Sequence, residues 1–179
     1  AVTAKPALDA HRVRADFPIF EQTIHGKPLA FLDSAASSQK PRQMLEAMVR
    51  FYETSYANVH RGVYELAERA TAGLENARER VATLLNAPAA REVVFVRNAT
   101  EGINLVAYAW GLSNLGPGDV VVATELEHHS NFVPWQYVAR RTGADFRLLP
   151  LDDVGELRLD ALDALAGDGR VKVVAAGVV

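Results

Sequence analysis

The sequence predicts an α/β protein built on a mainly parallel sheet, and three observations carry that expectation. Apolar runs at residues 120–123, 146–149 and 171–179, broken only by Arg147 and Lys172, are nearly continuous rather than alternating, as in strands buried on both faces. Between them lie stretches with helical spacing, residues 134–143 and 159–165. Clear turn signals, Leu115-Gly116-Pro117-Gly118-Asp119 above all, separate the two kinds of segment. Strands that alternate with helices make a parallel α/β sheet, whose ligands bind beyond the carboxyl ends of the strands.

Composition agrees and excludes several classes. The 179 residues are 49% hydrophobic and 23% charged, enough for a sizeable core. A net charge of −3 gives no general attraction to nucleic acid or anionic membrane. No apolar run is long enough to span a bilayer and no signal-peptide pattern opens the sequence, so a cytoplasmic location is expected. The absence of cysteine removes disulfides, thiolate metal sites and thiol nucleophiles from these residues.

In chain order, residues 1–18 read as a loose arm and a short helix, closed by the extended exit that Pro18 imposes on Phe17. Residues 23–27 read as a turn around Gly26, and residues 29–32 as a short strand ending in Asp33, a candidate cap for the small-residue loop of residues 34–41. Pro41 suits the first turn of a helix striped by Met44, Leu45, Met48, Val49 and Tyr52. A long helix follows over residues 64–85, ended by Asn86-Ala87-Pro88. Residues 93–96 read as a buried strand that turns within three residues into a helix over 101–110, with Ile103, Val106, Ala107 and Trp110 on one face. Pro134 is expected in the first turn of the helix that ends near Gly143, and residues 152–156 form a turn. The apolar run 171–179 reaches the last residue, so the chain is expected to be the front part of a longer protein and inactive alone.

Four groups could carry chemistry. Thr100 reads as the N-cap of the 101–110 helix with Glu101 in its first turn, and a hydroxyl, free amides and the helix dipole together suit a phosphate. An ordinary capped turn has the same sequence. His128-His129 follows a strand at its carboxyl end; a ring stacked on a flat ligand and an exposed loop pair are both compatible, whereas adjacent histidines rarely share one metal. His60-Arg61, between two helices, suits a carboxylate or phosphate, or else a cap paired with a nearby acid. Gln39-Lys40 is a weaker version of the same.

Four motifs then stand in one order: Asp33-Ser34-Ala35-Ala36-Ser37-Ser38-Gln39-Lys40-Pro41, Asn58-Val59-His60-Arg61-Gly62, Arg97-Asn98-Ala99-Thr100-Glu101-Gly102-Ile103-Asn104-Leu105-Val106 and Glu127-His128-His129-Ser130-Asn131-Phe132-Val133-Pro134-Trp135-Gln136. From about Phe17 onward the chain resembles the SufS-like cysteine desulfurases, members of the class V aminotransferase group of pyridoxal-phosphate enzymes. The resemblance implies an aminotransferase-type large domain (pyridoxal-phosphate fold type I), with residues 1–30 as an arm and 31–179 as the front half of the cofactor-binding domain. It implies transfer of sulfur from L-cysteine to an enzyme persulfide with release of L-alanine, for iron–sulfur cluster assembly. It also implies a homodimer and a sulfur acceptor of the SufE/SufU type. A selenocysteine lyase, another class V member or a non-catalytic phosphate-binding relative are the alternatives.

By the same resemblance Thr100 and the amides of Thr100 and Glu101 hold the cofactor phosphate, His128 stacks on its ring and assists proton transfer, and Ala35, Ala36, His60 and Arg61 lie near the substrate. One departure is visible: many relatives carry Gly-Thr where this chain has Asn98-Ala99, at a cost of about one hydrogen bond, ~1 kcal/mol. The family's cofactor-bonding lysine, its aspartate partner of the pyridine nitrogen, its substrate-binding arginine and its persulfide cysteine are expected beyond residue 179. None of Lys5, Lys27, Lys40 and Lys172 stands in a Ser-x-His-Lys context.

Overall fold

The computed structural model describes residues 8–167 and 169–177. The chain divides between Val93 and Val94 into two compact units, and the boundary expected near residue 30 falls inside the first.

The first unit is helical. Helix α1 (Ala10–Ala15) is capped by Asp9, whose carboxylate accepts the amides of His11 and Arg12 at 3.1 Å. Phe17 is extended before a single 3₁₀ turn (Pro18–Glu21). Strands β1 (Thr23–Ile24) and β2 (Lys27–Pro28) form a small hairpin whose turn residues His25 and Gly26 both have positive φ, as a two-residue hairpin requires. The strand expected at residues 29–32 does not form. The Leu29 amide still donates to Gln22 O at the end of the hairpin, but its carbonyl accepts from Arg14 Nη2 and no described strand pairs with residues 30–32, which leaves Leu32 exposed.

Helix α2 (Arg42–Thr54) begins one residue after Pro41, which is its cap. The expected stripe Met44, Leu45, Met48, Val49 and Tyr52 lies on it but stays largely exposed within this unit. Helix α3 (Glu65–Leu85) matches its expected span and ends on Asn86 at φ 54°, a left-handed C-cap that leaves Asn at little cost. Its small residues Ala67, Ala70 and Ala82 are the buried ones.

The second unit holds the parallel sheet. Strands β3 (Val120–Thr124), β4 (Asp145–Leu149) and β5 (Val171–Ala175) are ordered β4-β3-β5, all parallel. The central β3 is buried along its whole length. Alternate side chains divide the core: Val121 and Ala123 pack with Trp135, Val138 and Ala139 of helix α6 (His129–Thr142), whereas Val120 and Val122 meet Ala161, Leu162 and Leu165 of helix α7 (Leu159–Ala166). Helices therefore cover both faces. From β3 the chain passes to β4 on one side and then to β5 on the other, which puts a switch point at the carboxyl end of β3.

Three expectations for this unit are corrected. Residues 93–96 are not a strand: no described strand pairs with them, and a β-branched run without a ladder leaves Val94, Phe95 and Val96 in solvent. Strand β5 is not buried on both faces, because it lies at the sheet edge and leaves Val174 half exposed; residues 178–179 lie outside the described residues. Pro134 is inside α6 rather than in its first turn, since the helix starts five residues earlier at His129. The lost amide would have met the carbonyl of Ser130, and burial of the ring offsets that loss.

The helix expected at 101–110 is helix α4 (Ala99–Val106), continued by a π turn (Ala107–Gly111) and a short α5 (Leu112–Asn114). The wide turn adds one residue, so Gly111 takes the buried place expected of Trp110, which is exposed, as is Val106. A Cβ on Gly111 would stand 3.0 Å from Val138 Cγ1, so α6 approaches here only because that side chain is missing.

Candidate functional site

At the start of α4 the cap is Asn98, not Thr100. Asn98 is extended (φ −167°), and its Oδ1 accepts the Glu101 amide at 2.9 Å. Glu101 reaches back in turn, accepting the Arg97 amide at 2.7 Å and the Arg97 guanidinium at 3.1 and 3.3 Å. This is a capping box displaced by one residue, and Asn-x-x-Glu was its legible signal. Thr100 comes second in the helix, too late to cap it. The Arg97 side chain first, and its amide second, hold the Glu101 carboxyl below its ordinary 4.5.

The Glu101 amide is thus already engaged. By helix geometry the amides of Ala99 and Thr100 have no intrahelical acceptor. Among the described residues the Thr100 hydroxyl has no protein partner; only its carbonyl is used, by Asn104 Nδ2 at 2.8 Å. These groups edge a concavity of about 650 Å³ lined by Arg97, Asn98, Thr100, Glu101 and Tyr108.

At the carboxyl end of β3, His128 is the N-cap of α6. Its Nδ1 accepts the Ser130 amide at 3.1 Å, with the Ser130 hydroxyl at 2.9 Å. An amide can only donate, so the neutral His128 ring carries its proton on Nε2, directed away from the cap. The His128 carbonyl accepts the Asn131 amide at 2.8 Å. His129 is the first residue of the helix, its ring edge-on to His128 at 6.3 Å, and among the described residues it has no hydrogen bond through its ring.

A polar chain runs beneath this turn and was not foreseen. Glu127 Oε1 accepts Thr124 Oγ1 at 2.8 Å and the Gly177 amide at 2.5 Å, and Oε2 accepts Asn131 Nδ2 at 2.6 Å. Asn131 Oδ1 accepts Trp135 Nε1 at 3.2 Å. The acid three residues after Thr124 and four before Asn131 is the sequence trace of it.

The remaining expected residues lie in the first unit and are described within it. Ala35 and Ala36 sit in an exposed turn, closed by the Asp33 carbonyl accepting the amides of Ala36 and Ser37. Asp33 therefore acts through its backbone. Lys40 Nζ donates to the Ser38 carbonyl. His60 has φ 63°; its amide donates to Thr71 Oγ1 at 3.0 Å, and its Nε2 stands 3.4 Å from Glu75 Oε1. His60 thus meets a nearby acid, as the alternative has it, but caps neither flanking helix, since α2 ends on Ser55 and α3 begins on Tyr64; Arg61 is exposed beside it.

Comparison with known proteins gives these positions a context. Residues 30–179 match the family described as Aminotransferase class-V. A cysteine desulfurase of Enterobacter sp. (strain 638) is 52% identical over 94% of this chain and 41% of its own length. A crystal structure of an Escherichia coli cysteine desulfurase, in its S-sulfonic acid form, superposes with TM-score 0.76 at 39% identity, over 94% of this chain and 41% of that one. An apo cysteine desulfurase of Thermococcus onnurineus NA1 gives TM-score 0.80 at 36% identity, over 93% and 39%. The chain spans about two fifths of the length of these relatives. Its fold is that of their front portion, the aminotransferase-type domain expected from the sequence.

Proposed function

This chain belongs to the class V aminotransferase family, and from that premise we propose that the protein carrying it is a pyridoxal-phosphate-dependent cysteine desulfurase. It takes the sulfur of L-cysteine onto an enzyme persulfide, releases L-alanine and feeds iron–sulfur cluster assembly. It works in the cytoplasm as a homodimer with a SufE/SufU-type acceptor. One observation carries the reading: His128, its tautomer fixed, stands at the sheet's switch point in a chain half identical to a cysteine desulfurase.

The donor set fits the cofactor. A phosphate suits the start of α4, where the Thr100 hydroxyl and amide are unengaged; the Arg97 cation there is paired with the Glu101 carboxylate and adds no net charge. A flat ring suits the exposed imidazole of His128. When bound, the cofactor supplies the electron sink for carbon–sulfur cleavage. Thr100 would anchor the phosphate, and His128 would lie against the ring with its proton held at Nε2; for Ala35, Ala36, His60 and Arg61 the family resemblance implies a place near the substrate, the guanidinium suiting a carboxylate. Residues 31–179 form the front half of the cofactor domain. With no cysteine among the 179 residues, the persulfide carrier is contributed from elsewhere in the protein.

The test is made on the complete protein. L-cysteine should yield equal amounts of L-alanine and transferable sulfur, and L-selenocysteine should not be preferred; a strong preference for it would assign a lyase instead. Thr100→Val should weaken pyridoxal-phosphate binding by about 1–3 kcal/mol. His128→Ala should change the cofactor absorbance and slow alanine release, and His129→Ala should do less. Unaltered cofactor affinity in the first variant, or equal effects in the two histidine variants, would overturn these assignments.

A further inference from the structure

The polar chain under the β3–α6 turn has a fixed direction, and its members flank His128 on the backbone. The Trp135 indole N–H can only donate, so Asn131 presents Oδ1 to it and Nδ2 to Glu127. Glu127 must then accept at Oε2, as it does at Oε1 from Thr124 and Gly177. Both ends are anchored in the core, Thr124 being 1% exposed and Trp135 6%. The three donors come from the end of β3, the first turn of α6 and the segment just past β5. His128 stands between Glu127 and Asn131 in sequence, and its carbonyl accepts the Asn131 amide.

We propose that Glu127 is a positioning residue for His128: its carboxylate clamps the carboxyl ends of β3 and β5 to the first turn of α6 and thereby holds the Ser130 amide in the place where it fixes the orientation and tautomer of the His128 ring. What that ring meets rests on the function proposed above; the clamp itself does not. A carboxylate serves where an amide cannot. Glu127→Gln keeps one oxygen for Thr124 and Gly177 but turns an NH₂ group toward the NH₂ of Asn131. Asn131 cannot turn over to relieve this, because its NH₂ would then face the Trp135 N–H. Trp135→Phe removes that donor and frees Asn131 to turn.

The clamp therefore makes a non-additive prediction that lost packing alone does not. The complete protein is labelled with ¹⁵N-histidine and the His128 ring nitrogens are observed without cofactor; pyridoxal-phosphate binding is measured separately by visible absorbance. In Glu127→Gln the His128 signals should move from a pure Nε2–H tautomer toward a mixture, and cofactor affinity should fall about tenfold. In the Trp135→Phe background the same substitution should change either readout by less than about twofold. Asn131→Ala, which removes one arm of the clamp, should move the His128 signals in the same direction and gives the readout should Glu127→Gln not fold. Wild-type His128 signals in both Glu127→Gln and Asn131→Ala would overturn the proposal, as would a Glu127→Gln effect equally large with Phe at position 135. Failure of the wild-type protein to bind pyridoxal phosphate would instead overturn the proposed function, and the cofactor-free ring signals would still decide the clamp.

Discussion

The starts of α4 and α6 use one device, a side chain that caps a helix, and secure it in opposite ways. At α4 the securing groups, the exposed Arg97 and the half-buried Glu101, hold each other in reach of solvent. At α6 the cap His128 adjoins a hydrogen-bonded chain whose ends, Thr124 and Trp135, are buried. An exposed ion pair is screened by water and salt and holds its partners weakly. A chain anchored in a close-packed core cannot shift without disturbing that core. The contrast teaches where adaptability sits: the start of α4 can shift at little cost, and the start of α6 is held in place by the core.

The comparison breaks most thoroughly at Trp135. Trp135→Ala removes both the core ring and the donor that directs Asn131, and should destabilise the complete protein by about 3–5 kcal/mol in denaturant melts. Val63→Ala, at a side chain 99% exposed, should stay within about 0.5 kcal/mol. A loss at Trp135 no larger than that at Val63 would contradict the core anchoring. Next comes the packing of the two helices. Gly111→Ala puts a Cβ 3.0 Å from Val138 Cγ1 and should cost about 1–3 kcal/mol, read from the same melts. Asn98→Ala should cost about 1 kcal/mol through the lost cap, whereas Thr100→Ala should cost less, which sharpens the reassignment of the cap.

The smallest effect is that of pH on the Arg97–Glu101 pair. The folded Glu101 carboxyl titrates below its ordinary 4.5, so the stability it contributes is present above 4.5 and is lost as pH falls through the lower folded value. Melting temperatures of wild type and Glu101→Gln should therefore differ near neutrality and converge in acid; a gap that widened in acid would reverse the sign.

Much of the second unit was legible because its signals are local. Nearly continuous apolar runs located β3, β4 and the start of β5, and Gly143, at φ 78°, ended α6 where expected. The failures have a common physical origin. Residues 29–32 and 93–96 have strand composition, but a strand exists only with a partner, and composition does not record partners. Asn98 and Thr100 are both good caps, and the choice between them lay in the reach of a side chain to an amide three residues on. Pro134 obeyed a packing demand stronger than its preference for a first turn. The pair His128-His129 was singled out from its place after a strand, and His128 within it by the family resemblance. Glu127 was not, because its three donors come from elements that only the folded sheet brings together.

The π turn in the helix that starts at Ala99 sets a phase. Ile103, Ala107, Gly111 and Leu115 all pack toward the same core, four residues apart. In an α-helix each residue advances by about 100°, so a four-residue step overshoots a full circle by about 40° and three such steps drift by about 120°. The wider turn advances less per residue and winds part of that drift back. Deleting one residue between 107 and 111 would restore ordinary pitch while bringing each later residue one place forward. Leu115 would then swing away from Val138, and the Gly116–Asp119 turn that feeds β3 would leave the helix in a different direction. The angular register of this helix is thus written in its length, and a single-residue deletion is a harsher change there than most substitutions.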